Sequence, residues 1–165
     1  MVKTESEILA DVYDKVRGLS NFYLSYLPKI DIDKRIVSDG IKFNSAYWIA
    51  AHLVWTEHSL ILNGITGEDM NIEWLNDFEY GSDPENIKHK PSIKEVFKTM
   101  ELVHEKAISI IKAQTDIQLD EDNLFGEYFG DEKNKRNLII HTIRHEPMHI
   151  GQLSWILKSN GITIA

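Results

Sequence analysis

The segment from Lys135 to Ser159, KRNLIIHTIRHEPMHIGQLSWILKS, is central to the fold of this chain. Its apolar residues recur at spacings of three and four, which is the period of one face of an α-helix. These residues are Ile139, Ile143, Ile150, Leu153 and Leu157. Gly161 follows as a typical helix stop. The segment therefore predicts a long helix whose apolar face packs against other helices.

The first of three earlier helical segments is predicted from Glu5 to Leu27, just before Pro28. Its apolar residues recur at the same helical spacing, and we expect this stripe to face the core. The stripe consists of Ile8, Val12, Val16, Leu19, Tyr23 and Leu27.

Two more helices are marked by their start signals. Asn44 or Ser45 can cap a second helix, which Gly67 closes. A third helix is predicted to begin at Ser92, because Ser92 and Glu95 have the spacing of a capping box and an apolar periodic run follows them. Together with the last segment, these helices predict a four-helix bundle.

Long connections join the predicted helices. Residues 64–91 have no sustained period, and we expect Trp74, Phe78 and Tyr80 to fold back onto the bundle. The acidic stretch 116–132 lacks the oxygen ligands of a calcium loop. Because no segment alternates convincingly like a strand, the prediction is an all-α four-helix bundle with long connections, forming a single domain over residues 1–165.

Composition limits the possible functions. The formal net charge of -8 disfavours binding to nucleic acid or to an anionic membrane. The chain has no cysteine, so imidazole and carboxylate are the metal ligands it can offer, and any thiol must arrive as a substrate. No segment approaches the roughly 20 apolar residues of a membrane span, so we expect a cytoplasmic protein.

Histidines stand out in the last predicted helix. His141, His145 and His149 are spaced by four, which places them near one helical face. Only neighbours in this series can share an ion, because residues eight apart lie roughly 12 Å apart along a helix axis. A third ligand must come from another helix, and His52 is the candidate because it lies on the apolar stripe of the second helix. This spacing predicts a metal site.

His145 and His149 are the preferred pair, because Gln152 and Ile156 continue their inward face. The role of His141 stays open between a supporting and a packing residue. Gln152 could orient a ligand or substrate, or it could only form a hydrogen bond at the end of the helix.

The other histidines of the chain lack this pattern. His58 is turned away from the stripe that carries His52, and we expect His89 and His104 to be surface residues.

The string His145-Glu146-Pro147-Met148-His149 also fits the H-E-x-x-H pattern of metalloproteases. In that hypothesis Glu146 would activate a metal-bound water for hydrolysis. Glu146 points about 100° away from His145 on a helix, which favours a solvated or supporting carboxylate instead. Pro147 should kink the helix between the two histidines.

Two motifs resemble the DinB-like (YfiT-type) superfamily. They are residues 44–53, NSAYWIAAHL, and residues 144–153, RHEPMHIGQL. The resemblance covers nearly the whole chain and implies a four-helix bundle that often dimerises. It also implies that His52, His145 and His149 bind one divalent ion, usually zinc or nickel.

Characterised members of that superfamily include transferases that use bacillithiol, mycothiol or a similar small thiol. The resemblance therefore implies a metal-dependent transfer of a low-molecular-weight thiol, such as these or a glutathione-like compound, to an electrophilic small molecule. Two alternatives stay open: a metal-dependent hydrolase with Glu146 as base, and a non-catalytic dimeric domain stabilised by its metal. Three imidazoles alone do not distinguish zinc, nickel, copper and iron.

Overall fold

A computed structural model of the protein describes residues 2–164. Four long helices pack around one hydrophobic core and confirm the predicted all-α bundle. The long helices are α1 (Glu5–Leu24), α2 (Ala46–Glu57), α3 (Ile93–Lys112) and α5 (Lys135–Ser159). A short helix, α4 (Asp116–Asp120), lies between α3 and α5. Within residues 2–164, every helix is too short or too polar to cross a membrane.

The orientation of α1 differs from the prediction. Ile8, Val12 and Leu19 of the predicted core stripe are 50%, 44% and 52% exposed. The buried face instead consists of Ser6, Ala10, Tyr13, Arg17, Ser20 and Leu24. The physical reason is Arg17, whose guanidinium pairs inside the bundle with carboxylates of two other helices. These buried ion pairs, not the apolar period, set the rotation of α1.

The beginning of α1 and its end have separate local causes. Thr4 caps the helix with a reciprocal capping box. The helix ends at Leu24, earlier than the predicted Leu27, and a short 3-10 turn over Leu27–Lys29 follows. Leu27 itself is fully buried, so it contributes to the core from outside the helix.

The helix α2 is capped by Ser45, whose hydroxyl accepts a hydrogen bond from the backbone N–H of Trp48. After Glu57 the winding widens into a π-helix over His58–Thr66, which ends at Gly67 in the left-handed conformation (φ 74°). Gly64 lies inside this segment, where a Cβ would stand 2.6 Å from both Leu138 and Phe125. The glycine therefore allows α5 to approach closely.

The starts of α3 and α5 agree with the sequence signals. Ser92 accepts from the backbone N–H of Glu95, which forms one arm of the predicted capping box. Asn134 caps α5 in the same way, and α5 spans the predicted bounds. It continues unbroken through Pro147. A bend of α5 at that residue stays a prediction.

The connections contribute to the core unequally. A 3-10 segment, Glu73–Phe78, buries Trp74 and Phe78 against α2, as predicted. The prediction for Tyr80 was wrong, because its side chain is 87% exposed beyond the end of that segment.

A small hairpin, which was not predicted from the sequence, precedes α2. Its strands β1 (Val37–Ser38) and β2 (Ile41–Lys42) are antiparallel. Asp39 and Gly40 join them with positive φ angles of 50° and 79°. Such a pair is the usual sequence of a tight two-residue hairpin turn.

Candidate metal centre

Three histidines from two helices converge in the bundle. His52 of α2 meets His145 and His149 of α5, and one ring nitrogen of each lies within 4.8 Å of the others. The Nε2 atoms of His145 and His149 are 3.2 Å apart. Nitrogens bound to one ion at ~2.1 Å stand roughly 3 to 4 Å from each other. The pair on α5 therefore already has the spacing of two metal ligands.

The ring of His52 is fixed by the connection that follows α2. Its Nδ1–H donates a hydrogen bond of 2.7 Å to the backbone carbonyl of Phe78, which is fully buried. Since a carbonyl can only accept, the proton is on Nδ1 and the lone pair is on Nε2. The indole rings of Trp48 and Trp55 stack on the imidazole at centroid distances of 4.5 and 5.4 Å. His52 thus presents a defined nitrogen in a fixed direction.

The ring of His149 is held in the same way. Its Nδ1 lies 3.0 Å from the side-chain oxygen of Gln152, to which it donates. Metal-binding histidines commonly donate their second ring N–H to an oxygen, which orients the ring and raises its basicity. Gln152 therefore orients the imidazole of His149, while a role in orienting a metal-bound ligand or substrate stays a prediction.

His145 has no such anchor. Its Nδ1 is buried without a hydrogen-bond partner in the described residues. Its ring instead lies between those of His141 and His149, at centroid distances of 5.6 and 4.5 Å. Packing therefore sets the orientation of His145, which makes it the least constrained of the three rings.

Burial keeps all three rings neutral at physiological pH. It lowers the pKa of His52 to about 4 and, together with the neighbouring His149 and His52, the pKa of His145 to about 3. Burial also lowers the pKa of His149. Neutral imidazoles have the free lone pair that a metal ion requires. The donor set therefore fits a borderline ion such as zinc or nickel.

Glu146 occupies a different environment from the histidines beside it. Its side chain is 2% exposed, so of the two predicted alternatives, a solvated or a supporting carboxylate, the solvated one is wrong. Its Oε2 lies 3.0 Å from Nη2 of Arg17, and burial raises the pKa of the carboxyl. The ion pair directs this carboxylate to Arg17 on α1, and Glu146 is outside the group of converging nitrogens. This placement disfavours Glu146 as a base for a metal-bound water.

The remaining histidines of the chain either pack against a neighbouring ring or pair with polar groups. His141 contacts Phe129 edge-on at 5.0 Å and lies outside the converging group. His58 is buried and accepts from the backbone N–H of Met70. The surface assignment of His104 was wrong: it is 9% exposed and its Nδ1 lies 2.6 Å from Glu57. A half-exposed His89 agrees with its surface assignment.

Four residues contact His52 without having been predicted as site residues: Phe78, Thr56, Trp48 and Trp55. The Phe78 carbonyl could not be found from sequence, because it depends on how the long connection folds. Thr56 lies one turn after His52, and its hydroxyl is 3.4 Å from His52 Nε2. The stacking of Trp48 and Trp55 could have been found, since they are four residues before and three after His52 and thus share its helical face.

Comparison with known proteins agrees with this geometry. No curated protein matches the sequence. A family model described as the DinB superfamily matches residues 13–153. The matched region includes all three converging histidines and most of the chain's 165 residues. The chain therefore belongs to the DinB superfamily.

Proposed function

We propose that this protein binds one divalent metal ion through His52, His145 and His149 and transfers a small thiol to an electrophilic small molecule. The observation that carries the proposal is the convergence of three imidazole nitrogens within 4.8 Å. Membership of the DinB superfamily supports it. Zinc or nickel is the expected ion, because both accept three neutral imidazoles.

The proposed transfer depends on the positive charge of the metal ion, which three neutral imidazoles would leave uncompensated. When bound, a divalent ion would lower the pKa of an incoming thiol and so supply a thiolate at neutral pH. The sulfur forms a bond to the electrophilic carbon, the leaving group departs with the electrons of the broken bond, and the thiol proton passes to solvent. Phe78 and Gln152 hold His52 and His149 in place during this step.

A cleft beside the site offers room for the electrophile. It has a volume of about 480 Å³, within the usual range of small-molecule sites. The aromatic rings of Phe43 and Trp155 line it together with Ile49 and Gln152. Gln152 also binds His149, so the cleft and the histidine cluster share one residue. We therefore expect an electrophile with an apolar body.

The source of the sulfur is external. The chain contains no cysteine, so the thiol must be a second substrate. Bacillithiol, mycothiol and glutathione-like compounds are the expected class. We place the activity in the cytoplasm, where such thiols stay reduced.

The test is conjugation by metal-loaded protein. The protein is stripped with a chelator, reloaded with zinc or nickel, and mixed with each thiol and a haloalkyl fluorophore, and the conjugate is measured by mass spectrometry. We expect turnover with at least one thiol, loss of turnover after stripping, and loss in His145→Ala. His89→Ala, a change at an exposed histidine, should keep it. A protein that binds metal but conjugates none of these thiols would contradict the transferase and favour a non-catalytic domain.

A further inference from the structure

Each of the four long helices contributes at least one buried polar side chain to a single cluster. Arg17 of α1, Glu57 of α2, His104 of α3 and Glu146 of α5 form this four-helix polar cluster. Nη2 of Arg17 lies 2.7 Å from Glu57 Oε2 and 3.0 Å from Glu146 Oε2. The other oxygen of Glu57 lies 2.6 Å from Nδ1 of His104.

Net stability does not explain such a cluster. Arg17 and Glu57 are 3% and 0% exposed, and removing such charges from water costs about as much as their attraction returns. Replacing a buried ion pair with well-packed apolar residues of similar volume often leaves the stability of a protein unchanged or raises it. A guanidinium, however, presents donors in a fixed plane, and buried pairs of this kind can specify how helices are placed.

The two carboxylates belong to the helices that carry the histidines. Glu146 directly follows His145 on α5, and Glu57 lies five residues after His52 on α2. Five residues correspond to about 7.5 Å along a helix. Arg17 therefore connects α2 to α5 close to the level of the site.

We propose that Arg17 is a positioning residue for the metal centre: by holding Glu57 and Glu146 together it sets the separation of α2 and α5. The convergence of His52 with His145 and His149 depends on that separation. The inference rests on the proposed metal-binding function. Metal–ligand distances tolerate deviations of only about 0.2 Å, so a small displacement of either helix weakens binding.

Loss of the guanidinium would leave two buried carboxylates facing each other. Both lie within 3.0 Å of the same Arg17 nitrogen. Like charges at such short range repel, which pushes the two carboxylates apart. The helices that carry them move with them, because packed interiors transmit strain.

Arg136 provides a matched control. This arginine of α5 also bridges two carboxylates, with Nε 2.6 Å from Glu5 and Nη1 bonded to Asp120. Its partners lie on α1 and α4, so it does not connect α2 to α5. Removing it tests the general effect of losing a bridging arginine.

The experiment compares wild type with Arg17→Met, Arg17→Lys and Arg136→Met. Zinc affinity is measured by competition with a chromophoric chelator, the visible bands of bound Co²⁺ report the ligand set, and denaturant titration reports stability. We expect Arg17→Met to weaken zinc binding at least about tenfold, in the range seen for residues that support metal ligands, and to change the Co²⁺ bands. Arg17→Lys should have a zinc affinity between those of Arg17→Met and wild type. Arg136→Met should leave the zinc affinity and the Co²⁺ bands unchanged.

Two results would overturn the positioning role. One is Arg17→Met with lowered stability but wild-type zinc affinity and Co²⁺ bands. The other is Arg136→Met weakening zinc binding as much as Arg17→Met does. If Arg17→Met does not fold, a folded Arg17→Lys variant with unchanged affinity and bands decides against the role in the same way. A wild-type protein that binds no ion would instead contradict the proposed function itself, and this inference with it.

Discussion

The Nδ1–H group of His149 donates a hydrogen bond of 3.0 Å to the side-chain oxygen of Gln152, one turn further along α5. This bond leaves the lone pair of His149 on Nε2, which lies 3.2 Å from Nε2 of His145. Gln152 also lines the cleft beside the site. One glutamine therefore sets the tautomer of a histidine in the cluster and borders the space proposed for a substrate.

Replacing this glutamine should weaken metal binding. Gln152→Ala removes the acceptor of the His149 Nδ1–H, so we expect zinc affinity to fall by about 10- to 100-fold with little loss of stability. The measurement is zinc titration against a competing chelator. Gln114→Ala removes a glutamine that bonds the carbonyl of Ile110 on α3 and should leave affinity unchanged. Equal affinities for Gln152→Ala and wild type would show that the bond does not support the site.

The metal-free protein should lose stability in acid through its buried histidines. Above pH 6.5 His52 is neutral in both the folded and the unfolded state; as the pH falls towards its folded pKa of about 4, only the unfolded chain takes up the proton. Stability therefore decreases over that window, by about 3 kcal/mol for His52 alone at ~1.4 kcal/mol per pKa unit. Denaturant titrations from pH 7 to pH 4 should show a shallower decrease in His52→Gln. Parallel curves for the two proteins would contradict the lowered pKa.

The cleft should govern the binding of the electrophile and not the chemical step. Trp155 is 72% exposed, so Trp155→Ala should cost the fold little. We expect it to raise KM for an apolar electrophile severalfold with kcat nearly unchanged, because the lost contact binds substrate and transition state alike. Met148→Ala, at a 61% exposed residue of the same helix, serves as the control. A fall in kcat with constant KM would contradict this assignment of the cleft.

The exposed apolar stripe of α1 should form the interface of a homodimer. Val12, Leu19 and Phe22 remain 44%, 52% and 44% exposed, and exposed apolar surface of this kind marks association sites. We expect sedimentation to show a dimer for wild type and a monomer for the double variant Val12→Lys/Leu19→Lys. Leu102→Lys, on the exposed side of α3, should stay dimeric. A monomeric wild-type protein would contradict the prediction.

Helix positions in this chain could be predicted, because local signals mark them. Ser45 and Ser92 cap helices where the sequence indicates, and α5 has its predicted bounds because Asn134 precedes its apolar period. The convergence of histidines could be anticipated for the same reason, since residues four apart share a helical face.

The rotation of α1 could not be predicted, because it depends on partners distant in sequence. Arg17 faces inward only because Glu57 and Glu146 meet it from two other helices. His104 was placed on the surface for the same reason, since its partner Glu57 is 47 residues earlier in the chain. The Phe78 carbonyl that fixes His52 depends on a connection with no helical period. In each case a buried polar contact outweighs the local pattern.

The most direct test is metal content of the purified protein after loading with zinc or nickel and gel filtration. We predict about one ion per chain for wild type and almost none for His149→Ala, because three ligands are the minimum for a stable site of this kind. His58→Ala, which changes a buried histidine outside the cluster, should retain its ion. A wild-type protein without bound metal, or a His149→Ala variant with wild-type content, would contradict the three-histidine centre.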